Sequence, residues 1–185
     1  MATIVGIAGS LRKRSFNAAL LKSAAEQAPP SVTVKIASIA GIPLYDGDVE
    51  AERGVPDQVT ALKDVVVAAD GLLLVTPEYN NSMPGVFKNA IDWLSRPPKD
   101  AGQVFGDKPV ALMGATPGVG GTRLSQAAWL PVLRALGMRP WFGKQLYVAG
   151  AEKVFDADGR LVDAKIRSLL EDFMAGFAAF VAKGG

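Results

Sequence analysis

Three short stretches concentrate the residues able to do chemistry. The first, Gly9 to Asn17, reads Gly-Ser-Leu-Arg-Lys-Arg-Ser-Phe-Asn. It leaves an apolar run and enters a helical pattern, so backbone N–H groups and the positive end of a helix point into the gap between them. Ser10, Ser15 and Asn17 add neutral donors, and the Arg12 guanidinium is a fork shaped for a phosphate. At about 1.5–3 kcal/mol for each charge-assisted contact, four or five such contacts would hold a phosphate dianion at micromolar affinity or better. Ser15 also suits an N-cap. The second stretch, Pro77 to Gly85, is bracketed by Pro77 and Pro84. Its backbone is therefore restricted, and it can present N–H and C=O groups to the edge of a flat ring, with Tyr79 as a wall and Asn80 as an amide. The third, Ala115 to Gly121, holds three glycines, which let a backbone approach a ligand closely; Thr122 then stands where a helix cap would.

Other phosphate-binding patterns are absent. There is no G-x-x-x-x-G-K-[ST] and no G-x-G-x-x-G, and the second predicted strand does not end in the acidic residue that would take a ribose. The chain has neither Cys nor His. This excludes disulfides, thiolate metal sites, Cys nucleophiles, His-ligated metals and a Ser-His-Asp triad. An enzyme of this composition takes its chemistry from a cofactor. Asp46 and Asp48 flank a glycine and read as surface carboxylates, so no metal site is expected. A net charge of +2 gives no argument for nucleic acid, and no apolar run approaches the roughly 20 residues of a membrane helix. The opening Met-Ala-Thr-Ile-Val-Gly-Ile reads as a strand and not a leader, which predicts a cytoplasmic protein.

The elements that must position these loops alternate along the whole chain of 185 residues, which reads as a single domain, 1–185. Strands are expected at 3–8, 32–36, 71–76, 109–114 and 145–148. Helices are expected at 17–27, 56–68, 86–95 and 122–136, with a final helix carrying Ile166, Leu169, Leu170, Phe173, Phe177 and Phe180 as its core stripe. The Leu72-Leu73-Leu74-Val75 run is apolar on both faces, as a central strand is. Such alternation implies an α/β flavodoxin-like three-layer sandwich with a five-stranded parallel sheet in the order 2-1-3-4-5. The ligand site of that topology lies beyond the carboxyl ends of strands one, three and four, where the three loops fall.

Gly9-Ser10-Leu11-Arg12-Lys13 with Ser15-Phe16-Asn17, and Pro77-Glu78-Tyr79-Asn80 with Ser82, Pro84-Gly85 and Lys88-Asn89-Ala90-Ile91-Asp92-Trp93, closely resemble the NAD(P)H-dependent FMN reductases. Within that family the chain is most similar to the bacterial chromate/quinone reductase branch, over essentially its whole length. The resemblance implies bound FMN, NADH or NADPH as electron donor, and a homodimer or homotetramer. It also implies two-electron reduction of quinones and other acceptors, chromate and azo or nitro compounds among them. Carried over by position, Ser10, Arg12, Ser15, Phe16 and Asn17 surround the FMN phosphate. Pro77, Glu78, Tyr79 and Asn80 line the ring and ribityl chain, Ser82 lies in the same motif, and Ala115 with Thr116 closes the far edge. The third loop departs from the family at Pro117 and Gly118. Arg96 and Arg123 lie near the expected mouth, where each could steer an anionic substrate or pair across a subunit interface. The expected mechanism is ping-pong, the nicotinamide and then the acceptor using one place, with no general base. A non-enzymatic flavodoxin-type electron carrier is the alternative; such carriers are strongly acidic, whereas this chain is slightly basic.

Overall fold

The computed structural model describes residues 1–184. Five parallel strand pairings build one sheet in the order β2-β1-β3-β4, with β5 and β6 both laid along β4. The strands are β1 (Ala2–Ala8), β2 (Val32–Ala37), β3 (Gly71–Val75), β4 (Pro109–Ala115), β5 (Arg139–Pro140) and β6 (Leu146–Val148). The fold is the flavodoxin-like one expected. The expected fifth strand, 145–148, is present as β6; an additional two-residue strand, Arg139–Pro140, pairs with the other end of β4, and Trp141 to Gln145 leaves the sheet between them.

Alternation along the strands builds two cores. Ile4, Leu73 and Val75 face one side with Leu20 and Leu21 of α1 (Phe16–Glu26) and with Phe173 and Phe177 of α8 (Ala164–Ala182). Val5, Ile7, Leu72 and Leu74 face the other. There they meet α3 (Asp57–Val67), α4 (Gly85–Leu94), α5 (Ala101–Phe105) and α6 (Arg123–Ala135). All five residues of β3 are buried, as its two-faced apolar run requires. In the last helix Leu170, Phe173 and Phe177 are core, but Leu169 is 44% exposed and lies outside the stripe. Gly9 marks the closest approach of the first loop to α4: a Cβ there would stand 2.1 Å from the Phe87 ring.

The short helices α2 (Gly47–Arg53), α5 and α7 (Ala151–Val154) were not expected from periodicity. Each has four to seven residues, fewer than the two turns over which an amphipathic stripe becomes visible. Asp46 is the N-cap of α2, accepting from the Asp48 N–H at 2.9 Å, and no group of three potential ligands occurs among the described residues. No helix among those residues is long and apolar enough to cross a membrane.

Candidate flavin-binding site

The register brings the carboxyl ends of β1, β3 and β4 level, since Ala8 is opposite Val75 and Val75 opposite Met113. Backbone hydrogen bonds extend this order one residue into each loop, from Gly9 N–H to the Val75 carbonyl and from Thr76 N–H to the Met113 carbonyl. The three loops therefore leave the sheet side by side. Between them lies a cleft of about 90 Å³. Ser10, Arg12, Ser15, Phe16 and Asn17 line it from the first loop. Pro77, Glu78 and Tyr79 line it from the second, and Ala115, Thr116 and Pro117 from the third. Ten of the twelve residues expected around the ligand thus share one cleft. Asn80 and Ser82 do not line it, and neither do Arg96 or Arg123.

Each loop owes its shape to local bonds. Ser15 caps α1, its hydroxyl oxygen accepting from the Ala18 N–H at 3.2 Å, and the Ser10 hydroxyl oxygen accepts from the Arg12 N–H at 3.3 Å. Both hydroxyl protons stay available. The N–H groups of Phe16 and Asn17, in the first turn of α1, have no acceptor within the described residues. Arg12 has no carboxylate partner there either. This end of the cleft is a set of donors, and a phosphate dianion is the ligand such a set fits.

Asn17 differs from the expectation of a free phosphate donor. It is buried, and its side-chain amide donates to the Ala115 carbonyl at 2.8 Å while accepting from the Ala115 N–H at 2.9 Å. One of its two N–H bonds is thereby used; its main work is to clamp the first loop to the third.

The second loop is a two-residue hairpin. Tyr79 and Ser82 exchange both backbone hydrogen bonds at 3.0 Å, and Asn80 and Asn81 between them have φ of 49° and 61°. Positive φ at both central positions is a type I′ turn, which Asn tolerates far better than most residues. Asn81 and this turn were missed in the sequence, although two consecutive Asn residues between strand-like neighbours are its signal. The Tyr79 backbone is consumed by the hairpin, whereas the N–H groups of Asn80 and Asn81 are left open at the tip; the Tyr79 side chain is 45% exposed.

Glu78, expected along the ring and ribityl chain, lines the cleft. Its carboxylate also accepts from the N–H groups of Leu124 at 2.9 Å and Ser125 at 3.1 Å, capping α6 from outside the helix. Thr122, the anticipated cap, has φ of 67° and makes no side-chain cap bond; its buried hydroxyl accepts from Gln126 at 3.1 Å. The reason is Gly114, where a Cβ would lie 2.3 Å from the Thr122 hydroxyl oxygen. Thr122 is packed inward onto β4, so a neighbouring loop must supply the capping anion.

The two outlying arginines are engaged inside the chain. Arg96 donates from Nε to Glu50 at 2.8 Å and lies over the Tyr45 ring, with 5.5 Å to its centroid. Glu50 also accepts from the Tyr45 hydroxyl at 3.0 Å. Hydrogen bonding from Arg96 holds the Glu50 carboxyl below its ordinary range, and the bond to Glu50 raises the Tyr45 hydroxyl. Arg123 lies over the Tyr147 ring, 5.3 Å from its centroid.

Known proteins share this pattern. The family model described as NADPH-dependent FMN reductase matches residues 2–153. An NAD(P)H-dependent FMN reductase of Pseudomonas aeruginosa is 42% identical over 180 residues, covering 97% of this chain and 95% of that one. A 2-hydroxy-1,4-benzoquinone reductase of a Burkholderia species is 39% identical over 178 residues, covering 96% and 95%. Among solved structures, the flavoenzyme NAD(P)H:(acceptor) oxidoreductase FerB of Paracoccus denitrificans superposes with a TM-score of 0.89 at 34% identity, over 100% of both chains. The match to the family model and the length and identity of these alignments place the chain in the NADPH-dependent FMN reductase family, as an oxidoreductase.

Proposed function

We propose that residues 1–185 act as one FMN-binding reductase domain that transfers two electrons from NADH or NADPH to quinones by a ping-pong sequence. The observation that carries this reading is the donor-only end of the cleft. The open N–H groups of Phe16 and Asn17, the Ser10 and Ser15 hydroxyls and the Arg12 guanidinium, which has no carboxylate within 4.0 Å among the described residues, belong to its first loop, and Glu78, the one carboxylate lining the cleft, is bonded to α6. Ser10, Arg12, Ser15, Phe16 and Asn17 hold the phosphate. Pro77, Glu78, Tyr79 and Asn80 border the ribityl chain and ring, Ser82 fixes the hairpin that carries them, and Ala115 with Thr116 forms the far edge. Bound FMN supplies the hydride chemistry. The chain's own work is to bind, orient and exclude. It contains no His or Cys to serve as base, and the reading needs none. Chromate and azo or nitro compounds enter as further acceptors at the same open place. Arg96 and Arg123 remain candidates for steering anionic substrates, and a homodimer or homotetramer is the assembly proposed.

The test is anaerobic stopped-flow mixing of FMN-loaded protein with NADH and with NADPH, followed by a quinone. Bleaching of the flavin absorbance in one two-electron step, then recovery on adding quinone, is expected. Flavin that neither nicotinamide bleaches would refute the reductase reading and favour an electron carrier. Arg12→Ala should weaken FMN binding by about 1.5–3 kcal/mol, or roughly 10- to 100-fold in Kd by calorimetry. An unchanged Kd would remove Arg12 from the phosphate site.

A further inference from the structure

The flavin reading leaves much of the basic loop unused. Lys13 and Arg14 do not line the cleft; they face a neighbouring cavity of about 510 Å³, which shares only Arg12, Ser15 and Phe16 with it. This cavity lies between the first half of α1 and the turn that runs from Phe155 to Leu161, whose ends form an antiparallel bridge. Its size falls within the 300–1,000 Å³ of pockets that enclose small molecules, whereas the cleft is far below that range.

The walls are chemically divided. Arg12, Lys13 and Arg14 stand on one side, and none has a carboxylate within 4.0 Å among the described residues. The facing side, α7 and the turn after it, carries Glu152, without a cation among the described residues, and Asp156 and Asp158, both turned to Arg160 at 4.0 and 3.3 Å. Between the two walls the Phe16 and Phe155 rings stack at 6.0 Å with 26° between planes, and beside them Ala19 of α1 lies close to Gly159 of the turn, where a Cβ would stand 3.6 Å from the Ala19 methyl. An occupant must therefore carry an anion at the basic rim, a flat apolar body beside the phenyl rings, and donor groups toward Glu152. A free phosphate or sugar lacks the body, and a quinone lacks the anion.

We infer that this cavity is a subsite for a 5′-adenylate group: phosphate at Arg12, Lys13 and Arg14, base beside Phe16 and Phe155, and exocyclic amine or ribose hydroxyls toward Glu152. The inference rests on the flavin reading in one respect, the placement of a first phosphate in the adjoining cleft. Because the two spaces share Arg12 and Ser15, a second phosphate linked to the first enters the cavity directly. The adenylate half of FAD meets that condition, and the adenylate half of the nicotinamide dinucleotide carries the same chemistry.

The experiment uses AMP as the direct probe and Ala19→Trp to fill the cavity from α1 without touching the cleft. Titration of FMN-loaded protein with AMP, followed by amide NMR, should shift residues 13–22 and 152–159, and Ala19→Trp should abolish those shifts. Calorimetry then separates the sources. If FAD is the occupant, wild type binds FAD within ten-fold of FMN, and Ala19→Trp raises the FAD Kd at least ten-fold at unchanged FMN Kd. If the nicotinamide dinucleotide is the occupant, Ala19→Trp raises KM for NADH and leaves that for reduced nicotinamide mononucleotide unchanged. Arg14→Glu gives the same pattern should the tryptophan variant not fold. FMN binding with no AMP shifts, and neither difference, would overturn the inference alone. Failure of FMN itself to bind would instead overturn the flavin reading, and AMP shifts in the unloaded protein would still report on the cavity.

Discussion

Asn17 shows how one side chain can serve a site without chiefly addressing its ligand. Its amide is matched donor to acceptor and acceptor to donor with the buried backbone of Ala115, 98 residues away. Asn17→Ala would strand both Ala115 groups away from water, at roughly 1–3 kcal/mol for each. Urea unfolding should therefore show a loss of that order, whereas a change below about 0.5 kcal/mol would mean that the clamp carries no weight. Asn17→Asp keeps the acceptor, loses the donor and adds an anion at the phosphate end, so it should lower FMN affinity more than stability. Asn-to-Ala and Asn-to-Asp thus separate clamping from ligand contact by two different readouts.

At the level of elements, α6 depends on a residue outside it. Thr122 occupies the cap position but packs inward, and Glu78 supplies the anion across the mouth of the cleft. The second and third loops are consequently one mechanical unit. Glu78→Ala should cost about 0.5–2 kcal/mol, the usual range for losing a helix cap, and should speed amide exchange at Leu124 and Ser125. Glu78→Gln retains the acceptor and loses the charge at the helix N-terminus, and should fall between wild type and the alanine variant. Equal exchange in all three would show that the cap is dispensable. The same dependence explains why Glu78 was legible as a site residue but not in its role: the loop that holds it is visible in the chain, while its partner N–H groups lie 46 and 47 residues further on.

On the scale of the molecule, Glu50 of α2 draws together Tyr45 and Arg96, which precede α2 and follow α4. Its carboxyl titrates below the ordinary range, chiefly through the Arg96 hydrogen bond. The unfolded chain thus binds the proton more readily than the folded one. The contribution is present above the unfolded carboxylate pKa and is lost as pH falls through the depressed folded value. Glu50→Gln should therefore be less stable than wild type near neutral pH, with the gap closing in acid. Parallel stability–pH curves for the two proteins would contradict this.

The sequence by itself determined the layers, the parallel order and the three loops, because these follow from local periodicity, from turn residues and from the handedness of crossovers. It also named ten of the residues lining the cleft, since two long motifs carry eight of them on contiguous stretches and the glycine-rich third loop opens with the other two, Ala115 and Thr116. Tertiary structure alone decided what those residues bond. Asn17 turned to Ala115, Glu78 to α6 and Arg96 to Glu50, each across 46 or more residues, a separation that no local pattern records. It likewise added a second short strand, Arg139–Pro140, beside β4 and opened a larger cavity on the other side of the phosphate loop. Periodicity reports which side chains are hidden; only packing reports which partner each hidden polar group must find.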